Sequence, residues 1–208
     1  MTKKHLAIFW FVAAAMLLLA TTLPYEKEWT LKKTGKKMWV YTRDRAGSEI
    51  KEVRLIMEVD ASITAINAVL NDASRQPEWV FHCTSAKDLG GKVDTGWYYY
   101  SRIALPWPMD DRDVIAKVIG QQDGDVYRSK SIAAPTFQPE VEGCVRITDF
   151  DVTTAYEALP DGSTKITYEV HSEPAGAVPS WLVNLFIEKG PVETMTKLRK
   201  IVEAKAAQ

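Results

Sequence analysis

The sequence predicts an α+β domain in which an antiparallel β-sheet is covered by a long C-terminal helix. Three observations carry that expectation. Between Thr95 and Ser172, five segments rich in β-branched and aromatic residues alternate with turn chemistry. Ahead of them stand a hairpin pattern and one short helical pattern. Behind them, Pro179 to Ala207 repeats apolar residues at helical spacing. A long sheet wrapped around a terminal helix leaves space between the two layers for a ligand.

The chain has 208 residues, 46% hydrophobic and 25% charged, with a formal net charge of −1. It opens with Lys3 and Lys4, then an unbroken apolar run from Leu6 to Ala20 that Pro24 ends. Residues 1–24 are expected to be a signal peptide or an N-terminal membrane anchor. Counting to Leu23, the run is 18 residues long, near the lower limit for a bilayer span. Ala20-Thr21-Thr22 is a passable cleavage site, whereas Lys27, Lys32, Lys33, Lys36 and Lys37 beyond it oppose easy export by the positive-inside rule. Cleaved signal and retained anchor both stay open; the expected location is the periplasm or the inner-membrane surface. Removing that segment leaves roughly 180 residues, the size of one domain with a sizeable core; the expected domain is residues 28–205. A near-zero net charge and the lack of any nucleic-acid-binding signature argue against nucleic acid as a partner.

Each element then follows in order. Glu28–Lys37 is basic and reads as a short helix or a linker. Met38–Asp44 reads as a strand, followed by a Gly47-Ser48 turn. In "EVRLIMEV", Val53, Leu55, Met57 and Val59 share one face, so the two strands form a hairpin. Ser62 is a plausible N-cap for a helix carrying Ile63, Ile66, Val69 and Leu70, and Pro77 closes that region. Thr95–Ala104, Asp113–Gly120, Asp125–Ala133, Cys144–Ala158 and Thr164–Ser172 are the five strands. The loop Ala134–Gly143 is longer, with apolar tips at Phe137 and Val141, and loops of that kind often carry function. Gly190-Pro191 is expected to kink the last helix.

Catalytic signatures are missing. His82 and His171 have no partners at metal-ligand spacing, and neither HExxH, CxxC, GxSxG nor a phosphate-cradling loop occurs. No catalytic residue, metal or cofactor is expected. "DDRD" (Asp110–Asp113) lacks the second acidic segment a magnesium site needs and reads as a solvated turn with one structural Arg–Asp interaction. Cys83 and Cys144 are either a pair or two unpaired core residues. Trp97, Tyr98, Tyr99 and Tyr100 put aromatics on both faces of one strand, and half of them can line a cavity. Arg102 and Arg146 lie in apolar strands; pointing inward, each needs a partner, and pointing outward, each solubilises.

"PWPMDDRDVI", "GCVRI", "HSEPAGAVPSWLVN" and "PVETMTKLRK" together resemble the START family of StAR-related lipid transfer domains. "MWVYTRD", "GSEIKEVRLIMEV" and "LNDASRQPEW" fit its N-terminal half, so the resemblance runs in order from Trp29 to Val202. It implies a helix-grip fold with a hydrophobic tunnel for one lipid or sterol-like molecule, transient membrane contact, non-enzymatic transfer and action as a monomer. The lid helix would begin at Pro179-Ser180-Trp181-Leu182-Val183-Asn184. Candidate ligand-binding residues are then Trp97, Tyr98, Tyr100, Arg102, Val118, Arg146, Trp181, Leu182, Asn184, Leu185 and Phe186, with Phe137 and Val141 on a gate loop.

Two departures withhold the cargo. Where the cholesterol-binding branch has an arginine, this chain has Val118. Where the choline-lipid branch resembles Arg-x-x-Trp-Asp, it has Gln76, Trp79 and Val80, with Arg75 one place off. Competing readings are a cyclase- or aromatase-like enzyme of the wider superfamily, using a pair such as Tyr100 with Asp113 or Arg146, and a membrane-tethered sensor whose Lys27–Lys37 segment lies on anionic headgroups.

Overall fold

The computed structural model describes residues 28–92, 96–179, 182–183, 186–187 and 189–206. The expected targeting segment, 1–24, lies outside them, as do Trp181, Asn184 and Leu185 of the expected lid. The described strands are β1 (Thr30–Gly35), β2 (Met38–Arg43), β3 (Glu52–Val59), β4 (Cys83–Lys92), β5 (Gly96–Ile103), β6 (Asp111–Asp123), β7 (Val126–Ala133), β8 (Cys144–Arg146), β9 (Phe150–Ala158) and β10 (Thr164–Ser172). They form a single antiparallel sheet in the order β1-β2-β3-β10-β9-β7-β6-β5-β4, with β8 pairing in parallel with β6.

The hairpin forms as its pattern predicts. β2 (Met38–Arg43) and β3 (Glu52–Val59) pair antiparallel, and Val53, Leu55, Met57 and Val59 all point into the core. They meet Ile66 and Val69 of α1 (Ile63–Leu70), whose Ser62 cap accepts the Ala65 N–H. Met195, Leu198 and Val202 of α3 (Gly190–Ala206) complete this cluster, each side chain burying about 1.5–3 kcal/mol of apolar transfer energy. At α3's far side, Arg199 donates to the Lys36 and Lys37 carbonyls, fastening the helix to the β1–β2 turn.

Five local expectations change. The basic segment forms strand β1 (Thr30–Gly35), paired with β2. Its side chains are all exposed, so no apolar alternation announces it, and its lysines protect a sheet edge. The preceding Trp29 is held by guanidinium groups, with Arg43 at 4.5 Å and Arg54 at 4.1 Å from its ring centre. Pro77 opens the short helix α2 (Gln76–Trp79), following a 3₁₀ turn at Ala73–Arg75, because its missing N–H costs nothing in a first turn. β4 (Cys83–Lys92) went unseen, being the polar, glycine-bearing edge strand at the other end of the sheet. There the backbone is so close that a Cβ on Gly91 would lie 2.4 Å from the Gly96 carbonyl. Finally, Gly190-Pro191 begins α3 instead of kinking one continuous helix: Lys189 is a turn, and its carbonyl accepts the Glu193 N–H. Leu182, Val183, Phe186 and Ile187 are helical ahead of it.

The fifth change has the widest structural effect. The strand expected over Cys144–Ala158 divides into β8 (Cys144–Arg146) and β9 (Phe150–Ala158). Arg146 ends β8 by turning to Asp113 at the start of β6 (Asp111–Asp123), with Nε at 2.8 Å and Nη2 at 2.9 Å from its two carboxylate oxygens. The two side chains are 3% and 1% exposed. The remaining N–H groups reach the carbonyls of Pro135, Gln138 and Pro139. Both cysteines are free: Cys83 is buried with its sulfur 3.3 Å from Ser101 Oγ, and Cys144 is half-buried.

Breaking a buried ion pair on one side leaves an uncompensated charge, so Asp113→Asn is expected to cost about 3–5 kcal/mol in urea unfolding. Replacing both partners, with Arg146→Met added, should recover part of that loss. Equal stability of wild type and Asp113→Asn would refute this account of the bridge.

Candidate functional site

Between the sheet's inner face and the C-terminal helical segment lies a cavity of about 320 Å³. That is within the range of small-molecule sites. Strand alternation decides who lines it. On β5 (Gly96–Ile103), Trp97, Tyr99, Ser101 and Ile103 face the cavity. On β6 the inward set is Arg112, Val114 and Val118; on β9 it is Phe150, Val152, Thr154 and Tyr156. β7 (Val126–Ala133) contributes Tyr127, Ser129 and Ser131, and β10 (Thr164–Ser172) contributes Tyr168 and Val170. Leu182, Phe186, Met195 and Leu198 close the helical side.

Among the residues expected to bind ligand, Trp97, Val118, Leu182 and Phe186 therefore line one space. Tyr98, Tyr100, Arg102 and Arg146 do not, nor do Phe137 and Val141 of the expected gate. The reason is period two: a site that includes Trp97 takes Tyr99, and leaves Tyr98 and Tyr100 on the opposite face. Tyr98 stacks on Phe137 there, with ring centres 4.0 Å apart. Tyr100 is buried beside Cys144, and its hydroxyl is pushed up to about 12 by that burial. Arg102 binds Asp111 at 2.6 Å, and Arg146 is spent on Asp113 and the loop carbonyls. That bonding fastens the first half of the expected gate loop. Of the positions matching the choline-lipid pattern, Trp79 keeps its tryptophan while Gln76 and Val80 depart; all three line the cavity, and Arg75 turns away to Glu78 at 2.6 Å.

The polar lining is mostly hydroxyl. Tyr99 bonds Ser131, and Tyr156 bonds Thr154 and Ser129. Burial lifts Tyr99, Tyr156 and Tyr168 well above the ordinary phenol range, so all three stay neutral. Sequence reasoning passed over this belt, although counting in twos from Trp97 reaches Tyr99, and the alternation of β9 reaches Thr154 and Tyr156.

Charge in the described lining is confined to one end, where β3 begins, β10 finishes and β6 starts. Lys51 there is paired with Asp44 at 2.5 Å. Arg112 reaches the carbonyls of Asp110 at 2.8 Å, Pro174 at 2.6 Å and Ala175 at 2.9 Å, and desolvation lowers its pKa. Arg112 and Asp113 thus both anchor the strand entry, but not to each other. The acids of "DDRD" diverge: Asp110 is exposed, Asp111 takes Arg102, and Asp113 takes Arg146. Among the described residues, Asp149, His171 and Glu173 bring ligand atoms within 4.8 Å of one another, with the Arg45 guanidinium 3.9 Å from Asp149 supplying positive charge.

A cavity of this make-up accepts a mainly apolar molecule. Nile red should bind it with blue-shifted emission. Val118→Trp should weaken that binding by about tenfold or more through overpacking, while Ile119→Trp, on the opposite face, should leave it unchanged. Equal effects of the two variants would show that the cavity has been assigned to the wrong face.

Comparison with known proteins supports this architecture. The chain is 32% identical over 179 residues to an uncharacterised protein of Pseudomonas aeruginosa, covering 85% of this chain and 88% of that one. It is 30% identical over 98 residues to the mouse phosphatidylcholine transfer protein, spanning 44% of this chain and 45% of that protein. A STAR-related lipid transfer protein from Xanthomonas axonopodis superposes with a TM-score of 0.76 at 29% identity, over 84% of this chain and 98% of that one. Human StAR-related lipid transfer protein 5 shares the fold at 18% identity, with a TM-score of 0.74 over 93% and 94% of the two chains. The START domain family model matches residues 11–208, and with that match the curved sheet gripping its C-terminal helix has its family: the chain belongs to the START family of lipid-transfer domains.

Proposed function

We propose that this chain binds one lipid in the cavity and moves or shields it between membranes without covalent chemistry. The observation that carries this reading is a continuous cavity of about 320 Å³, walled by apolar side chains on both the sheet and the helical segment. Burying acyl or ring surface there contributes roughly 25 cal/mol per Å² relative to water, which holds a lipid in the cavity against release into the aqueous phase once it has left a bilayer. The enzyme reading has less support. Asp113 and Arg146 are committed to one another, and Tyr100 faces away from the cavity.

Membrane contact is proposed at the end of the cavity carrying the β5–β6 loop. Trp107 there is 92% exposed between two prolines. Leu105, two residues earlier, lines the cavity, and Arg112 ties the loop's far side to the segment after β10. An exposed indole at this end of the cavity suits the bilayer interface, where tryptophan concentrates. The N-terminal apolar run is proposed to export the chain, as a cleaved signal or a retained inner-membrane tether. The lysines of the exposed strand β1 would then lie close to lipid headgroups.

Protein purified without detergent should carry one lipid per chain in native mass spectrometry. Trp107→Ala should slow transfer between vesicles about tenfold while leaving that occupancy unchanged. An empty protein that turns over a hydrophobic substrate would replace transfer with catalysis.

A further inference from the structure

Tyr168 stands apart from the hydroxyls around it. It sits on β10 opposite Thr154 of β9, with the phenols of Tyr99 and Tyr156 beside it. Those two spend their hydroxyls on Ser131, Ser129 and Thr154. The Tyr168 hydroxyl lines the cavity and makes no hydrogen bond to another described residue. Two further lining residues, Trp79 and Trp97, have buried indole N–H groups without an acceptor. The interior is therefore short of acceptors, and a ligand oxygen supplies one.

Resting on the reading of this cavity as the lipid site, we propose that Tyr168 is the polar contact for the ligand, and that the ligand is a lipid whose buried end bears an uncharged hydroxyl or carbonyl oxygen. A charged group does not suit this position. The hydroxyl patch contains no ionised side chain, and burial keeps its tyrosines neutral at any ordinary pH. Of the lining residues that can carry charge, His171 lies three residues along β10 from Tyr168 and Lys51 four residues before its β3 partner Leu55, about 10–13 Å away, while Arg112 is farther still, bonded to Pro174 and Ala175 beyond the end of β10. Each already has a partner: Asp44 for Lys51, three carbonyls for Arg112, and Glu173 for His171. A carboxylate or phosphate at Tyr168 would thus be a buried charge with no counter-charge in reach. A neutral alcohol or ketone accepts the Tyr168 proton and leaves its alkyl part against Val152, Leu182 and Leu198.

The test uses lipid-stripped full chain and three ligands of one length: hexadecanol, palmitate and hexadecane, each competed against Nile red. Hexadecanol should bind at least about fivefold tighter than either of the others, the size of one net hydrogen bond. Tyr168→Phe should erase most of the alcohol's advantage over the alkane while hexadecane binding stays constant. Palmitate binding tightest would overturn the proposal, as would an alcohol-to-alkane ratio unaltered by Tyr168→Phe. Should that variant fail to fold, the wild-type ranking of the three ligands decides. Equal binding of all three removes this inference and leaves lipid binding intact; binding of none removes both.

Discussion

The carboxylate of Asp113 and the guanidinium of Arg146 meet in two parallel hydrogen bonds where almost no water reaches. Such a pair stabilises only when every remaining donor is satisfied, and here the spare N–H groups of Arg146 find three carbonyls of one loop. Several features of the fold depend on that arrangement. It draws β8 alongside β6, parallel in an otherwise antiparallel sheet, and returns the chain to the sheet as β9. It also fixes which side of β6 faces out. With Asp113 committed to the outer face, Arg112, Val114 and Val118 face inward, and the longest strand presents its apolar side to the cavity.

Space survives in the middle because the two sides of the fold are filled unequally. On the side of β2 and β3, the alternating Val53, Leu55, Met57 and Val59 share one buried cluster with α1 and α3, and of these four only Val53 also borders the cavity. On the side of β5, β6 and β7, the inward residues are valines, serines and aromatic rings whose polar ends need company. Serine and threonine are too short to reach the helical segment, and tyrosines spanning the gap bond back to those hydroxyls. A polar belt thus holds the cavity open where larger aliphatic residues would have closed it. The two smaller buried clusters, around Trp97 with Val118 and around Val114 with Ile147, border this space without filling it.

Much of this was legible in the sequence, for reasons that also explain the rest. β3 and β10 could be read because burial on one face imposes strict alternation, and α1 because Ser62 marks its start. β1 and β4 could not. Both are sheet edges with largely exposed side chains, where pairing is carried by the backbone and leaves little trace in the residues. The division between β8 and β9 was hidden because it is caused by an ion pair 33 residues apart in the chain. Composition likewise marked the aromatic strand as a cavity wall, but Tyr98 and Tyr100 look no different from Tyr99 until one residue fixes the face. Trp97 does so, and Arg102 and Arg146 have their partners in the fold.

The distribution of charge follows from the same partnerships. Every cation in the described lining sits at the end where the β5–β6 loop and the segment after β10 meet, and each is neutralised or hydrogen-bonded locally. Arg112 is the telling case. It is 5% exposed and bonded to three carbonyls, so it joins two loops at this end of the cavity. The charge at that end is held by the fold's own groups, while the neutral hydroxyl belt deeper inside disfavours any molecule that must bring its charge with it. Charged groups that join the loops and neutral hydroxyls that face the cavity are thereby separated along the length of the strands. On the proposed lipid-binding reading, that separation lets a neutral ligand end enter the belt without disturbing the charges that hold the loops together.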